Sequence, residues 1–406
     1  MNIEWLIIGG GIHGVHIAAR LIGEGGVAPE QLRIVDPAER LLDRWRTCAA
    51  VTGMAYLRSP SVHHLDLSPW SLRRFADKQN RPESEIFAPP YDRPSLALFN
   101  AHSEWVIERL GLRDLHDRGR ATACVAGRAG VRVRLTGRRE LFARHVVLAI
   151  GASEQPSWPR WTPRDDPRVH HVFEPGFKGW PSKPAEEVAV IGGGISAGLV
   201  ALRLARKGHR VHLVSRHALR EHQFDSDPGW LGPMHMTGFS HERDYDLRRA
   251  MIVRARHRGS VPPDVRGALR RAFDQGQITW HKTAVHGLDG RGDSARLRLD
   301  TDVIEVERVL LATGFITSRP GGAMIDELIA SASLPCARCG YPIVDTALRW
   351  HPRIHVSGPL AELELGPSSR NIAGARSAGD RLIDSLRKRS IWSGLRPSRW
   401  YRPATT

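Results

Sequence analysis

The residues with the clearest chemical meaning in this chain are glycines. In "IGGGIHGVHIAARL", Ile8 to Leu21, Gly9, Gly11 and Gly14 have the G-x-G-x-x-G spacing. Gly9 permits a tight turn, Gly11 lets the backbone approach a pyrophosphate with no side chain in the way, and Gly14 lets a helix pack closely on a strand. The free N–H groups and the positive end of that helix would hold the phosphates. Asp36 ends "QLRIVD" about twenty residues after the last glycine, where a carboxylate can accept hydrogen bonds from a ribose. His13, inside the turn, reads as helix-start filler and not as a catalyst.

A looser copy, "IGGGISAGLVALRL" from Ile191 to Leu204, puts Gly192, Gly194 and Ala197 in the same three positions. Its following strand, "RVHLVSRH", ends in Ser215 and Arg216 where an acid normally sits. An acid there would repel a 2′-phosphate, whereas Ser and Arg can hydrogen-bond and pair with one. Two turns imply two dinucleotides, FAD at the first and NADPH in preference to NADH at the second. A chain holding both is built to pass a hydride from nicotinamide to flavin.

Other chemistry is sparse. Cys336 and Cys339 form a C-x-x-C in "PCARCG", a competent redox pair where it can approach a flavin. No second pair offers zinc spacing, so no metal site is expected. No triad or carboxylate pair stands out.

These residues need elements to position them. "EWLIIGG" is an apolar run of strand type, and "IHGVHIAARLI" has helical spacing. "RHVVLAIGASEQPSWP" (144–159) and "ERVLLATGFITSRP" (307–320) each read as an apolar strand ending at a glycine, Gly151 and Gly314, before a turn with Pro. Such strand ends suit a chain crossing between two dinucleotide domains. The expected architecture is α/β, with two Rossmann-like dinucleotide-binding domains and the NADPH domain inserted into the FAD domain. Residues 1–155 and 305–406 would form the FAD domain, 156–184 a Pro/Trp-rich linker, and 185–304 the NADPH domain. Its poorly periodic insertion near 220–260 would serve as a lid or substrate wall. Pro367 and Ser368 read as the start of a helix running through "RNIAGARSAGDRLIDSLRKR". Pointed at a flavin pyrimidine, its dipole would stabilise the reduced ring.

At 406 residues, 41% apolar and 25% charged, the chain has room for two or three globular domains. Its apolar runs fall short of the roughly 20 residues a membrane span needs, and it begins directly on a strand, without signal-peptide features. Four cysteines suit a reducing compartment. A cytoplasmic protein with no membrane partner is expected. The net charge of +16 comes nearly all from scattered Arg, which reads as a solvated surface and not as a nucleic-acid footprint.

The order of FAD turn, "LAIG…P..P" crossing, NADP turn, "LLATGF" crossing and terminal helix resembles the class B flavoprotein monooxygenases. More closely it is similar to the bacterial lysine and ornithine N-hydroxylases. "GMAYLRSPSVHHLDLSP" sits where that family has Met or Gln and then Phe-Leu-Lys-Asp-Leu beside the flavin, which implies Met54 as a flavin contact. It also implies Arg58 in place of the lysine that holds the substrate carboxylate. "RPSLALFNAHSEWVIERLGL" resembles the family's Arg-containing segment leading into an aromatic helix. "VSGPLAELELGPSSRNIAGARSAGDRL" would bring Gly358, Gly366 and Pro367 to the flavin. The chain departs from the family at Ser59 and Pro60, where Asp and Leu are expected, and lacks an Asn-Glu-rich stretch between 220 and 250. The resemblance therefore implies the reaction type and not lysine or ornithine as substrate. NADPH would reduce FAD, molecular oxygen would add to give a flavin hydroperoxide, and a nitrogen or sulfur of a small molecule would attack it. Two alternatives remain: a dithiol reductase using Cys336 and Cys339, or a non-catalytic redox sensor with the basic tail "RKRSIWSGLRPSRWYRP" as interaction site.

Overall fold

A computed structural model describes residues 3–290 and 292–393; most of the basic tail lies outside them. Two mostly parallel sheets carry the two glycine turns, one each. In the first, strand β1 (Ile3–Ile8) lies between β2 (Leu32–Asp36) and Glu140–Leu148, all parallel, with Ile354–Val356 beyond the latter and His116–Arg118 beyond β2. The second sheet has the order Ile278–Lys282, Arg210–Ser215, Glu187–Ile191, Arg308–Leu311 and Val169–His171, again parallel. Its central strands are continuous apolar runs because helices or strands cover both faces. This is the expected α/β class with two Rossmann-like units.

Helices α1 (Ile12–Gly23) and Ile195–Arg206 follow their turns directly and are amphipathic. Leu21 and Leu204, at matching places in the two copies, are fully buried. In each sheet the turn lies at the point where strand order reverses, where open α/β sheets bind ligands.

Several boundaries differ from those expected. The stretch 156–184 is not merely a linker, since its strand Val169–His171 forms the edge of the second sheet. The three residues of that strand are too few to show a period. Arg308–Leu311 likewise belongs to the second sheet and not to the returning first unit. The insertion near 220–260 contains helices Pro233–His241 and Tyr245–Ala255. They bury only Phe239, and Arg248 with Ile252, so their apolar spacing is faint. The long C-terminal helix starts at Ile372 and not at Pro367. Asn371 is extended and its side chain accepts from Gly374 N–H at 2.9 Å, so Pro367–Arg370 is a separate 3-10 turn.

The chain crosses between sheets twice, and the two crossings pair with each other. Pro156 and Phe315 form an antiparallel bridge. Ser157 N–H donates to Gly314 O at 2.9 Å and Ile316 N–H to Gln155 O at 2.8 Å. Gly151 and Gly314 enter this ribbon with φ of +65° and +76°.

Candidate functional site

The two turns are built bond for bond alike. Gly9 N–H donates to Val35 O (2.8 Å) and Ala149 N–H to Ile8 O (2.8 Å); Gly192 N–H donates to Val214 O (2.9 Å) and Ala312 N–H to Ile191 O (2.9 Å). A Cβ on Gly9 would lie 2.3 Å from Ala149 O, and one on Gly192 2.5 Å from Ala312 O. Both residues have positive φ, +112° and +150°. A Cβ on Gly14 would lie 1.8 Å from Gly9 O, and Ala197 fills the corresponding place in the second copy, where Gly192 would meet its Cβ at 3.0 Å.

The first turn fits a dinucleotide. A Cβ on Gly11 would meet nothing within 4 Å, so the backbone at the start of α1 faces open space. Asp36 sits beside it, its carboxylate accepting from Gly10 N–H at 2.6 Å and from Ala38 N–H at 2.9 Å. His13 is more than filler: its Nδ1 bonds Ser357 Oγ at 2.8 Å and its ring lies under Gly358, whose Cβ would be 3.7 Å away. Burial pushes His13 down to about 4, against the carbonyls of Asn371 and Arg370, so the ring is neutral. Ser369 Oγ is a buried polar atom without a protein hydrogen-bond partner, and His13 Nε2 has no close one, the Asn371 and Arg370 carbonyls acting on the ring only from longer range. Together with the open space at Gly11 they suit a polar cofactor such as FAD, whose flavin and phosphates can bond them. Met54 is half-buried against the first core, and Gly366, with φ +73°, lies 3.3 Å by its added Cβ from Met236 Sδ of the insertion. Pro367 O accepts from Arg256 at 3.1 Å.

That last bond belongs to a cluster the sequence did not announce. The Glu362 carboxylate is completely buried and bonded by Arg249, by Arg256 at 3.2 Å and by Arg370 at 2.7 Å. Burial pushes its carboxyl up, but Arg370, Arg256 and Arg249 outweigh that and hold it below the usual range. Arg370 also donates to Tyr341 Oη at 2.7 Å, and the Arg249 guanidinium stacks 4.0 Å over the Tyr341 ring. The partners lie more than a hundred residues apart for Arg249 and Arg256, so only pairing in space reveals them.

At the second turn two expectations need correction. Ser215 Oγ accepts from Trp280 Nε1 at 2.9 Å and donates to His217 O at 3.0 Å in a buried position, leaving it no role with a 2′-phosphate. Arg216 is exposed beside it and remains the cation of the pair. Arg58 does not face a substrate anion. Its Nε donates to Gln223 O (2.9 Å), its Nη1 to Asp225 (2.7 Å) and its Nη2 to His222 O (2.6 Å) and Ser260 Oγ (3.1 Å), which engages every guanidinium nitrogen with protein acceptors.

Cys336 and Cys339 are free thiols in a loop closed by Ala337 N–H to Tyr341 O (2.9 Å) and Gly340 N–H to Ala337 O (2.8 Å). Burial pushes the Cys336 thiol up, as it does Cys48, and Cys124 to about 12. Among the described residues no group of three His, Cys, Asp or Glu could hold a metal, and no helix is long and apolar enough to cross a membrane.

Residues 6–153 match a family model described as FAD-NAD(P)-binding, and residues 126–245 one described as pyridine nucleotide-disulphide oxidoreductase. No curated protein matches the chain in sequence. Among solved structures, the chain is similar to an ornithine hydroxylase from Pseudomonas aeruginosa, with TM-score 0.73 and 17% identity over 96% of this chain and 99% of that one. It is similar to the FAD-bound cadaverine monooxygenase of desferrioxamine biosynthesis from Erwinia amylovora, with TM-score 0.74 and 14% identity over 100% and 99%. It is also similar to a bacillithiol disulfide reductase from Bacillus cereus, with TM-score 0.62 and 17% identity over 96% and 100%. The chain thus has the two-dinucleotide fold of FAD- and NADPH-dependent flavoprotein oxidoreductases, resembling the flavin N-hydroxylases and the disulfide reductases alike.

Proposed function

We propose that this chain is an FAD-dependent, NADPH-using monooxygenase that oxygenates the nitrogen of a small amine or amino-acid-like molecule. The observation that carries this reading is the fold, which matches the ornithine hydroxylase and the cadaverine monooxygenase at TM-scores of 0.73 and 0.74 against 0.62 for the bacillithiol disulfide reductase; the thiols add to it. A flavoprotein that passes electrons to a disulfide needs a thiolate to attack it, and thiolates are made by lowering a thiol pKa. Here burial raises Cys336, Cys48 and Cys124. A raised thiol at Cys336 weighs against a dithiol route, and the reading takes molecular oxygen as the acceptor of the electrons that bound FAD would carry. The likeness to the ornithine hydroxylase and the cadaverine monooxygenase runs along nearly all of both chains.

Bound FAD supplies hydride acceptance and oxygen activation. The chain's own residues hold and shield. The open backbone at Gly11 and the start of α1 receive the pyrophosphate, and Asp36 the ribose. Neutral His13 and Ser369 offer their spare polar atoms to the cofactor. Glu362 and its three arginines fix the insertion against the Pro367 turn and keep water from that side. Arg216 pairs with the 2′-phosphate of NADPH.

The test is oxygen uptake driven by NADPH or NADH across a panel of amines, amino acids and thiols, with hydroxylated product and peroxide both quantified. NADPH is expected to work at lower concentration than NADH, Arg216→Glu to flatten that preference, and an amine to raise product over peroxide. Turnover of a disulfide that disappears in a Cys336→Ser/Cys339→Ser variant retaining its FAD would establish the reductase instead.

A further inference from the structure

The two turns differ in what lies over them. Where Gly11 faces open space, a Cβ on Gly194 would lie 3.5 Å from Gly259 Cα and within 4.0 Å of Gly259 C and N. That direction is the one along which the backbone of a dinucleotide turn approaches a pyrophosphate. Gly259 backbone and a pyrophosphate therefore compete for one volume. His217 completes the cover, its ring 2.9 Å from an added Cβ on Gly193 and 2.7 Å from one on Gly259.

Gly259, at φ +67°, belongs to a two-segment flap. Arg220–Glu221 pairs with Ser260–Val261, His257 N–H donates to Asp225 O at 2.8 Å, and the His222 and His257 rings stack 3.7 Å apart. Arg58 ties the flap to the first unit by bonding both segments at once, through His222, Gln223 and Asp225 on one side and Ser260 on the other. Tyr91 lies against Phe224, and Arg256, just before the flap's second segment, is held by Glu362 and Pro367 O. Gln223 Nε2 returns a bond to Arg58 O at 3.3 Å, and Arg93 adds a pair with Asp264 at 3.1 Å.

We infer that Arg58 is a positioning residue that latches the flap closed over the second turn, so that the pyridine nucleotide enters only when the Arg58 bonds release. The inference rests on the second turn being the NADPH site. A nucleotide that binds only the open state shows an affinity reduced by the fraction of molecules open. Loosening the latch therefore tightens binding, the reverse of what loss of a nucleotide ligand would do.

The probe is 2′,5′-ADP together with NADP⁺, titrated by calorimetry into the FAD-loaded parent, Arg58→Ala, Arg58→Lys and Asp225→Ala. The Asp225 side chain is largely exposed, so its removal loosens the latch without cutting into packed structure. Arg58→Ala is expected to bind NADP⁺ about tenfold more tightly, with Arg58→Lys and Asp225→Ala, which each leave part of the latch in place, between it and the parent. FAD affinity is expected to stay as in the parent, and amide exchange at 257–261 to rise in the variants and on NADP⁺ binding. Unchanged or weaker NADP⁺ binding in Asp225→Ala overturns the latch while leaving the NADPH site intact. If parent and variants alike bind neither probe while holding FAD, the second turn is not the NADPH site and the latch falls with it.

Discussion

Gly11 and Gly14 are three residues apart and ask for opposite experiments. Gly14 has no room for a methyl, so Gly14→Ala forces β1 and α1 apart and is expected to cost about 2 kcal/mol or more of stability. Gly11 has room and an ordinary φ of −80°, so Gly11→Ala is expected to melt like the parent without cofactor. It would nonetheless bind FAD about tenfold more weakly, because the methyl occupies the pyrophosphate approach. Melting of the apoprotein and FAD titration of both variants separate the two roles. Such glycines are legible because a turn dictates them locally. The engagement of Ser215 and Arg58 is not legible for the converse reason: the partners that hold them, Trp280 and Gln223, lie 65 and 165 residues away. Histidines add a pH prediction. Burial lowers His13, His63, His64 and His171 to about 4 and His102 to about 3, with nearby arginines adding to it at His63, His64, His102 and His171. The unfolded chain binds these protons first, near the ordinary 6.5, so their stabilising effect is full above that value and is lost as pH falls toward 4. Denaturant midpoints should drop between neutral pH and about pH 5, and His102→Asn should reduce the drop.

At the scale of elements, both glycine helices and their strands were readable because period and motif agree. The insertion helices were not, since their buried faces are one or two residues wide. Their ends were nevertheless signed: Pro233 occupies the first turn of one, and Asp244 caps the other by accepting from Asp246 and Leu247 N–H. What holds this insertion to the rest is Glu362. Removing it leaves three arginines facing one another in a buried place, so Glu362→Ala is expected to cost about 3–5 kcal/mol, read as a lowered denaturation midpoint. Glu362→Gln should fall between. Because the carboxyl is held below its ordinary range, its contribution is present above that range and lost as pH falls through it, the same direction as the histidines.

Across the whole molecule, the arginine excess has a structural use that composition hid. A scattered surplus reads as solvated surface, yet many of these side chains bridge the two sheet units. Arg44 donates to Ser153 O and Phe173 O at 2.5 and 2.6 Å. Arg203 reaches Ala50 O and Val51 O at the end of helix Asp43–Thr52, while its guanidinium lies 4.3 Å over Trp180. Arg93, Arg248 and Arg256 do similar work elsewhere along the seam. A planar fork with five donors in fixed geometry holds several carbonyls at once more rigidly than the three rotating donors of a lysine.

The paired crossings give this seam a mechanical character. A lone linker lets its load twist, slide and tilt, but residues 155–157 and 314–316 are bonded side by side, so sliding one past the other breaks those bonds while folding the ribbon across its flat face breaks none. The paired crossings act as a two-stranded strap rather than a swivel, and the arginines along the seam tie down the same joint from the side.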